Sequence, residues 1–402
     1  MGLFEPDESI FRTETPLRED YEPEDIEERD EEISEYVDIL QPVMNGDPPK
    51  NIFAYGKTGV GKSEVTKHIL QNLKEDADKY EIDISTAHIS CENLTSSYQV
   101  AVEITNELRE DKERISETGY PEQKVFNLMY EEIDRQEGTV LIVLDEIDNI
   151  GENDKILYGL PRAVAKGYVE SSNIGVIGIS NDLEFRENLS AKVRDTLAEE
   201  EIHFPPYDAN ELKSILSKRA EKAFYDDVLN EDVIPLCAAL AARDSGSARQ
   251  ALELLNKAGD IARRNEDDSV TEEYVRKAQK EREKDRIEEG IENLTTHAKL
   301  TLLSILDFDI KGEVPVRNAD VYPRYKKIAN KADADTLSKR RIHDHLSQLS
   351  LQGILNREKK NIGRQGGSYY IYELNTDMDL VLNTIEQDSR LGEIPSILRE
   401  KR

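Results

Sequence analysis

The chain has 402 residues, of which 84 are acidic and 53 are Lys or Arg, and its formal net charge is −31. This length predicts two or three domains. The longest apolar stretches, such as residues 140–144, are too short to cross a bilayer. Only Cys91 and Cys237 are present, so a disulfide framework is excluded, and the chain begins without the pattern of a secretory signal. We therefore expect a cytoplasmic protein.

The charge is unevenly distributed along the chain. Residues 1–50 contain 17 acidic and 4 basic residues, whereas residues 311–370 contain 13 basic and 6 acidic ones. Because a uniformly acidic surface repels nucleic acid, the basic segment is where a nucleic-acid contact is expected. The overall acid excess suits a cytoplasm of high salt, where carboxylates keep the surface hydrated and their repulsion is screened. A halophilic source is our hypothesis.

Hydrophobic patterning divides the chain into four regions. The first, residues 1–45, is an acidic arm with helical spacing in its second half, at Ile26, Ile33, Val37 and Leu40. Residues 51–204 alternate helical stretches with β-rich runs, namely NIFAYG, STAHISC, TVLIVLD, NIGVIGIS and EEIHF. That alternation predicts a parallel sheet with crossover helices. Residues 208–285 are helical in pattern, and residues 295–373 predict three helices followed by two strands around a glycine-rich turn.

The strongest chemical signal is a glycine-rich loop between the first apolar strand and a helix. It matches the phosphate-binding pattern GxxxxGK[ST] with the residues Gly56, Lys57, Thr58, Gly59, Val60, Gly61, Lys62 and Ser63. Its backbone N–H groups and the helix N-terminus would surround a phosphate. Lys62 would reach the β- and γ-phosphate oxygens, and the Ser63 hydroxyl would bind Mg²⁺. This phosphate-binding loop predicts ATP or ADP, with Mg²⁺, as ligands.

Polar residues also follow two later strands. Asp145 and Glu146 end the apolar run 139–144, where Asp145 would hold Mg²⁺ and Glu146 would polarise the attacking water. The pair therefore predicts hydrolysis as well as binding. The run 174–180 ends at Asn181, whose amide would orient the same water. Asparagine at a strand end is also a common turn residue, and here the order of the motifs favours the catalytic role.

These motifs, which correspond to Walker A and Walker B, resemble those of the AAA+ ATPases. Among these, the chain is similar to the archaeal replication initiators related to the eukaryotic origin recognition complex and cell-division-control loader. The resemblance covers nearly the whole chain, through the further segments YEPEDIEERDEEI, SCENLTSSYQVAVEITNEL, LAEEEIHFPPYDANELKSIL, GSARQALELLNKAGDIA and LSKRRIHDHLSQLSLQGIL. It implies an α/β fold with an AAA+ P-loop ATPase core containing a parallel sheet, an all-α lid and a C-terminal winged-helix domain.

The resemblance implies roles for two arginines. Arg249 occupies the place of the sensor-two arginine, where a guanidinium on a lid helix would reach the γ-phosphate and couple lid closure to the nucleotide. Arg194 corresponds to the arginine finger that reaches the ATP of a neighbouring subunit. Asp195 and Thr196 stand where small serines are usual, which leaves an ordinary surface arginine as the alternative.

Two further family features fall on less distinctive residues. Tyr21 with Pro23, and Pro206 with Tyr207, correspond to the adenine pocket, although either pair could be ordinary turn packing. Residues 108–129 correspond to a helical insertion that approaches DNA in the family. Because their charge is mixed, both a DNA contact and a plain helical connection stay open.

The basic C-terminal segment carries the stronger indication of DNA binding. In residues 337–349 the apolar positions share one helix face, which leaves free a basic opening turn made of Lys339, Arg340 and Arg341. This pattern is typical of a recognition helix. Residues 356–370 then predict a β-hairpin whose tip carries Arg364 among glycines, suited to a minor groove or to phosphates. A winged helix used only for protein contacts is the alternative.

Together these features predict an ATP-dependent replication initiator that binds origin DNA and helps to recruit the replicative helicase, with slow ATP hydrolysis as a switch. Expected partners are duplex DNA, the helicase and other copies or paralogues of the chain, in the nucleoid. Two alternatives are a signalling or plasmid-maintenance P-loop ATPase with a regulatory winged helix, and a transcriptional regulator with a vestigial ATPase. The expected domains are the arm, the core, the lid and the winged helix, at residues 1–45, 46–207, 208–288 and 289–402.

Overall fold

The structure is a computed structural model, and it describes residues 10–109, 114–116, 118–150, 155–182, 184–185, 189–197, 199–361, 368–391 and 393–401. The chain divides into two compact units, Met1–Arg276 and Lys277–Arg402. Among the described helices, none combines the length and hydrophobicity that a membrane span requires.

The acidic arm is helical over a shorter stretch than its spacing predicts. Helix α1 is Asp30–Leu40, and it begins after Glu28, whose φ of 59° is left-handed and interrupts a right-handed helix. A helical pattern that includes Ile26 is therefore wrong. Val37 is also misplaced by that pattern, because its side chain is 45% exposed, while Tyr36 is buried instead.

The first unit is built on a parallel sheet. Its strands are β1 (Ile52–Gly56), β2 (Ile84–Ser90), β3 (Gly138–Asp145), β4 (Ser172–Ser180) and β5 (Glu200–Phe204). Within the described residues they pair in the order β2-β3-β4-β1-β5, all parallel. The predicted strands and their parallel arrangement are confirmed. Residues 140–144 of β3 are fully buried, which shows that the sheet is covered on both faces.

Helices connect the strands and bury the faces of the sheet. They are α2 (Lys62–Lys79), α3 (Ser97–Glu107), α4 (Glu122–Asp134), α5 (Lys155–Gly159) and α6 (Ala191–Leu197). Because β4 lies between β1 and β3, the carboxyl ends of these three strands are neighbours. The phosphate-binding loop, the paired carboxylates and Asn181 are therefore brought to one edge of the sheet, although they are far apart in sequence.

A helical region follows β5. Its helices are α7 (Ala209–Ala223), α8 (Val233–Asp244), α9 (Ala248–Arg264) and α10 (Glu272–Glu292). Helix α7 starts at a capping box, in which the Asp208 side chain accepts from backbone N–H groups and the Glu211 side chain accepts from the Asp208 N–H. Helix α10 contains the boundary between the two units.

The second unit combines helices with a small antiparallel sheet. Its helices are α11 (Thr296–Ile310), α12 (Asn318–Lys331), α13 (Lys339–Leu351), α14 (Met378–Glu386) and α15 (Glu393–Arg399). Its strands, paired in the order β6-β8-β7 in the described part of the chain, are β6 (Val316–Arg317), β7 (Leu355–Asn361) and β8 (Ser368–Leu374). Three helices and a two-stranded hairpin are present as predicted, and the short β6 is an addition.

Candidate active site

Two glycines of the phosphate-binding loop have left-handed backbone conformations, with φ of 78° at Gly59 and 91° at Gly61. The start of helix α9 lies directly against this loop, because the N–H of Ala248 donates to the Gly59 carbonyl at 2.9 Å. A Cβ built on Gly59 would lie 2.1 Å from Oγ of Ser247. A side chain at Gly59 would thus strain the backbone and push α9 away from the loop.

Lys62 opens helix α2, and its side chain is held at the carboxyl edge of the sheet. Its Nζ donates to the carbonyls of Gly56 and Lys57, each at 2.9 Å, and to Oδ1 of Asn181 at 2.8 Å. The residue is only 5% exposed. Burial lowers the pKa of Lys62 to about 8, against an opposing effect of the nearby Asp145 carboxylate. In this position the Lys62 ammonium could leave the two carbonyls and the Asn181 amide oxygen and bind an anionic group such as a phosphate instead.

Asn181 also contacts the second of the paired carboxylates. Its Nδ2 donates to Oε1 of Glu146 at 3.2 Å, so a continuous hydrogen-bonded path runs from Lys62 through Asn181 to Glu146. Glu146 has a left-handed φ of 55°, and its N–H donates to the Asp145 carboxylate at 2.9 Å. Burial, and then the charge of Asp145, raise the pKa of Glu146. The structure therefore brings together Glu146 as the predicted base, Lys62 as the predicted phosphate ligand, and Asn181, whose amide was predicted to orient the attacking water.

Asp148 supports this arrangement and was not selected from the sequence. Its Oδ1 accepts from Oγ of Ser180 at 2.8 Å and from the N–H of Asn181 at 3.2 Å. It thereby fixes the end of β4. The only signal in the sequence is a third carboxylate two residues after Glu146, which looks like part of a solvated acidic turn.

A cavity of about 300 Å³ adjoins these groups, between the arm, the phosphate-binding loop, the carboxylates and helices α7 and α9. The predicted residues that line it are Thr58, Gly59, Gly61, Lys62, Ser63, Asp145, Glu146, Asn181, Tyr207 and Arg249, together with Tyr21 and Pro23 of the predicted adenine pocket. The described lining residues do not include Gly56, Lys57, Val60, Arg194 or Pro206. The first three belong to the phosphate-binding loop, where the carbonyls of Gly56 and Lys57 accept from Nζ of Lys62.

Arg29 is a buried residue of this site that the sequence analysis missed. It is 2% exposed, and its guanidinium donates to the carbonyls of Val60 at 3.0 Å and Pro205 at 2.8 Å and to the Glu32 carboxylate at 2.9 Å. It also stacks on the ring of Tyr207, 3.7 Å from the centroid. Burial raises the pKa of Tyr207 to about 12. The sequence did offer one sign of its importance, because Arg29 is the single Lys or Arg between residues 19 and 49.

The two predicted arginines lie in different places. Arg249 is in the first turn of α9 at the cavity, where its guanidinium pairs with the Glu19 carboxylate at 2.8 Å. Arg194 is half-buried on α6. The structure therefore brings Arg249 to the site and leaves Arg194 outside it.

The predicted DNA contacts lie in the second unit. Lys339, Arg340 and Arg341 are exposed in the first turn of α13, whose apolar face is buried as expected, at Ile342, Leu346 and Leu349. Oγ of Ser338 caps this helix by accepting from the N–H of Arg341. Among the described residues, none of the three basic side chains is paired with a carboxylate. Arg364 lies outside the described residues.

The sheet order, the phosphate-binding loop, the paired carboxylates and the helical lid define an AAA+ ATPase, joined to a winged-helix domain. Family models agree with this class. They match an AAA domain at residues 47–187, a Cdc6 AAA+ ATPase-type lid domain at residues 213–280 and a CDC6 C-terminal winged helix domain at residues 289–384.

Individual relatives narrow the class. The chain is 48% identical to ORC1-type DNA replication protein 11 of Haloarcula marismortui, over 96% of this chain and 94% of that protein. It is 40% identical to the ORC1-type DNA replication protein of Thermococcus kodakarensis, over 95% and 92%. The chain therefore belongs to the ORC1 and Cdc6 family of DNA replication proteins. A solved structure of the Aeropyrum pernix ORC1 protein in complex with DNA is 34% identical, with a TM-score of 0.82 over 97% of this chain and 100% of that one.

These comparisons confirm the predicted family, the fold class and the ATPase activity. They do not favour a signalling or plasmid-maintenance ATPase. The Haloarcula marismortui relative supports the archaeal and halophilic source that the acid excess predicts. Membership of the AAA+ ATPases also implies nucleotide binding.

Proposed function

We propose that the chain is an ATP-dependent initiator that binds duplex origin DNA and helps to recruit the replicative helicase, with slow ATP hydrolysis as a switch. The main support is its likeness, over nearly its whole length, to an ORC1 protein solved with DNA. The exposed basic turn of α13 supplies a contact surface in a chain of net charge −31. Other copies or paralogues of the chain would complete the assembly on the nucleoid. We further propose that the domains of the chain end at residues 45, 207, 288 and 402.

The site residues fit a nucleoside triphosphate with Mg²⁺. Ser63 and Asp145 line the same cavity as Lys62, and a hydroxyl plus a carboxylate are oxygen ligands of the kind Mg²⁺ accepts beside phosphate. We assign Ser63 and Asp145 to the metal, which when bound neutralises phosphate charge. Lys62 and the loop N–H groups would hold the phosphates, and Tyr21 and Tyr207 the base.

The remaining groups suit hydrolysis. The Glu146 carboxylate would accept a hydrogen bond from the attacking water and align it, while the Asn181 amide fixes that carboxylate. Because Asn181 also accepts from Lys62, a shift of Lys62 onto phosphate is passed to Glu146 through one side chain. This link gives the base a position that depends on whether phosphate is bound. Arg249 would complete the site from the lid.

The proposed function is tested by footprinting a replication-origin duplex and a random duplex with the full chain, with and without ATP. We expect protection of the origin that is stronger with ATP. The double variant Arg340→Ala/Arg341→Ala should weaken origin binding by about 10- to 100-fold, because a base contact is worth about 1–3 kcal/mol and a phosphate contact adds to it. The matched control is Lys327→Ala/Lys331→Ala, which removes two exposed charges from α12. Unchanged origin protection by the α13 variant would refute this surface as the DNA reader.

A second prediction concerns Arg194, which lies on α6 outside the cavity. If it acts on a neighbouring subunit, Arg194→Ala should bind ATP normally but lose any rise in hydrolysis per subunit with protein concentration or DNA. The matched control is Lys192→Ala, an exposed cation on the same helix. Hydrolysis rates are measured across a dilution series. Retained stimulation in Arg194→Ala would show that this arginine is not the finger.

A further inference from the structure

We propose that Glu19 is a positioning residue for Arg249: its carboxylate holds the Arg249 guanidinium until the γ-phosphate of ATP displaces it. Glu19 would thereby lower the preference of the site for ATP over ADP. The inference rests on the proposed role of Arg249 as a sensor of the γ-phosphate.

Only the guanidinium end of Arg249 can change its partner, because the backbone at the start of α9 is held against the phosphate-binding loop. The start of α9 is already docked on the phosphate-binding loop, through the Ala248 N–H and the Gly59 carbonyl. A Cβ built on Gly59 would lie 3.2 Å from Cβ of Arg249, so the Arg249 side chain begins beside the loop. Its Nη2, however, lies 2.8 Å from Oε1 of Glu19. Both residues line the cavity.

Glu19 belongs to a segment that is anchored across the cavity, which we call the acidic strap, residues 19–27. Three of its other carboxylates pair with helices of the core and the lid: Glu22 with Lys67 of α2, Glu24 with Lys222 of α7, and Glu27 with Lys218 of α7. In addition, the guanidinium of Arg219 stacks on the Tyr21 ring at 4.5 Å. The strap therefore runs along the cavity with Glu19 opposite Arg249.

A carboxylate and a phosphate offer a guanidinium the same kind of paired oxygen acceptor. If ATP recruits Arg249, it has to compete with Glu19, whereas ADP has no γ-phosphate and meets no such competition. The Glu19–Arg249 pair therefore lowers the affinity for ATP but not for ADP. Only the fraction of the protein in which Arg249 has left Glu19 can bind the γ-phosphate through this arginine. The side chains of Arg249 and Glu19 are 44% and 63% exposed, so the pair is weak enough to be displaced.

The test measures the affinities of the full chain for ADP and for a non-hydrolysable ATP analogue, both with Mg²⁺. Glu19→Gln should raise the ratio of analogue to ADP affinity by about two- to fivefold, the size expected for one partly exposed ion pair. Glu22→Gln is the matched control, because it removes the same charge from the strap but faces Lys67. The decisive step is the double variant with Arg249→Ala, in which Glu19→Gln should no longer change the ratio.

Each outcome separates the inference from the role of Arg249 itself. If Arg249→Ala lowers the ratio but Glu19→Gln leaves it unchanged, Arg249 is a sensor and the role of Glu19 is refuted. If Glu19→Gln raises the ratio equally with and without Arg249, or Glu22→Gln matches it, the effect is general charge repulsion and the inference is again refuted. If Arg249→Ala leaves the ratio unchanged, the sensor assignment fails and removes the basis for Glu19. The gain from Glu19→Gln should also shrink as salt is raised.

Discussion

Glu146→Gln should lower the rate of ATP hydrolysis by at least about a hundredfold at saturating ATP, while ATP affinity stays close to that of the wild type. The glutamine keeps the size of the side chain and can still contact Asn181, but it cannot act as an anionic base toward water. Loss of a positioned general base typically costs about 10²–10⁴ in rate. Single-turnover hydrolysis and a separate binding titration distinguish the two effects.

Glu92→Gln is the matched control for this change. Glu92 is exposed, and its charge contributes to the raised pKa of Glu146 without occupying the cavity wall. If both variants slow hydrolysis to a similar extent, the effect belongs to the charge of the region. Equal hydrolysis by wild type and Glu146→Gln would remove Glu146 from its assigned role.

Lys62→Ala should weaken ATP binding by about a hundredfold or more. The Lys62 ammonium is buried among two carbonyls and Asn181, and its removal leaves the phosphates without their nearest cation. Truncating one member of a buried charged pair typically costs about 2–5 kcal/mol. Lys74→Ala, an exposed lysine on the same helix, is the control. Affinity within a fewfold of wild type, in a variant that still folds, would contradict the assignment.

The lowered pKa of Lys62 adds a pH dependence to the same prediction. Below about pH 8 this lysine is protonated before the nucleotide binds, and binding takes up no proton there. Above about pH 8 it is neutral in the free protein and must gain a proton, so ATP affinity should fall by up to about tenfold per pH unit. Lys62→Arg should remove this dependence, because arginine stays charged. A wild-type affinity that is flat to pH 9 would contradict the lowered pKa of Lys62.

Some parts of the site could be predicted because their signals are local in the sequence. The eight residues of the phosphate-binding loop are consecutive, and the carboxylates of Asp145 and Glu146 directly follow a run that is too apolar for an exposed strand. Parallel strands share one carboxyl edge, so Asn181 could also be expected nearby. What the sequence could not provide was the strand order that makes β4 the neighbour of both β1 and β3.

Other parts could not be predicted because their partners are remote. Glu19 and Arg249 are 230 positions apart, and nothing in an arm rich in acids distinguishes the carboxylate that reaches Arg249 from those that pair elsewhere or face water. Arg29 was hidden for the same reason, since the carbonyls of Val60 and Pro205 that hold it are remote main-chain groups, which every residue has. The start of α1 was misplaced because apolar spacing does not reveal the left-handed backbone at Glu28.

The buried guanidinium of Arg29 has a consequence for motion. It clamps the carbonyl of Val60 in the phosphate-binding loop and that of Pro205 at the end of the sheet, so these two points form one fixed base. Tyr207, two residues further on, is already tied to the lid by its N–H bond to the carbonyl of Gly246. The start of α9 is tied to the same base, because the N–H of Ala248 donates to the Gly59 carbonyl of the loop. A change of partner at Arg249 therefore falls on its side chain, while the loop that would hold the phosphates keeps its shape.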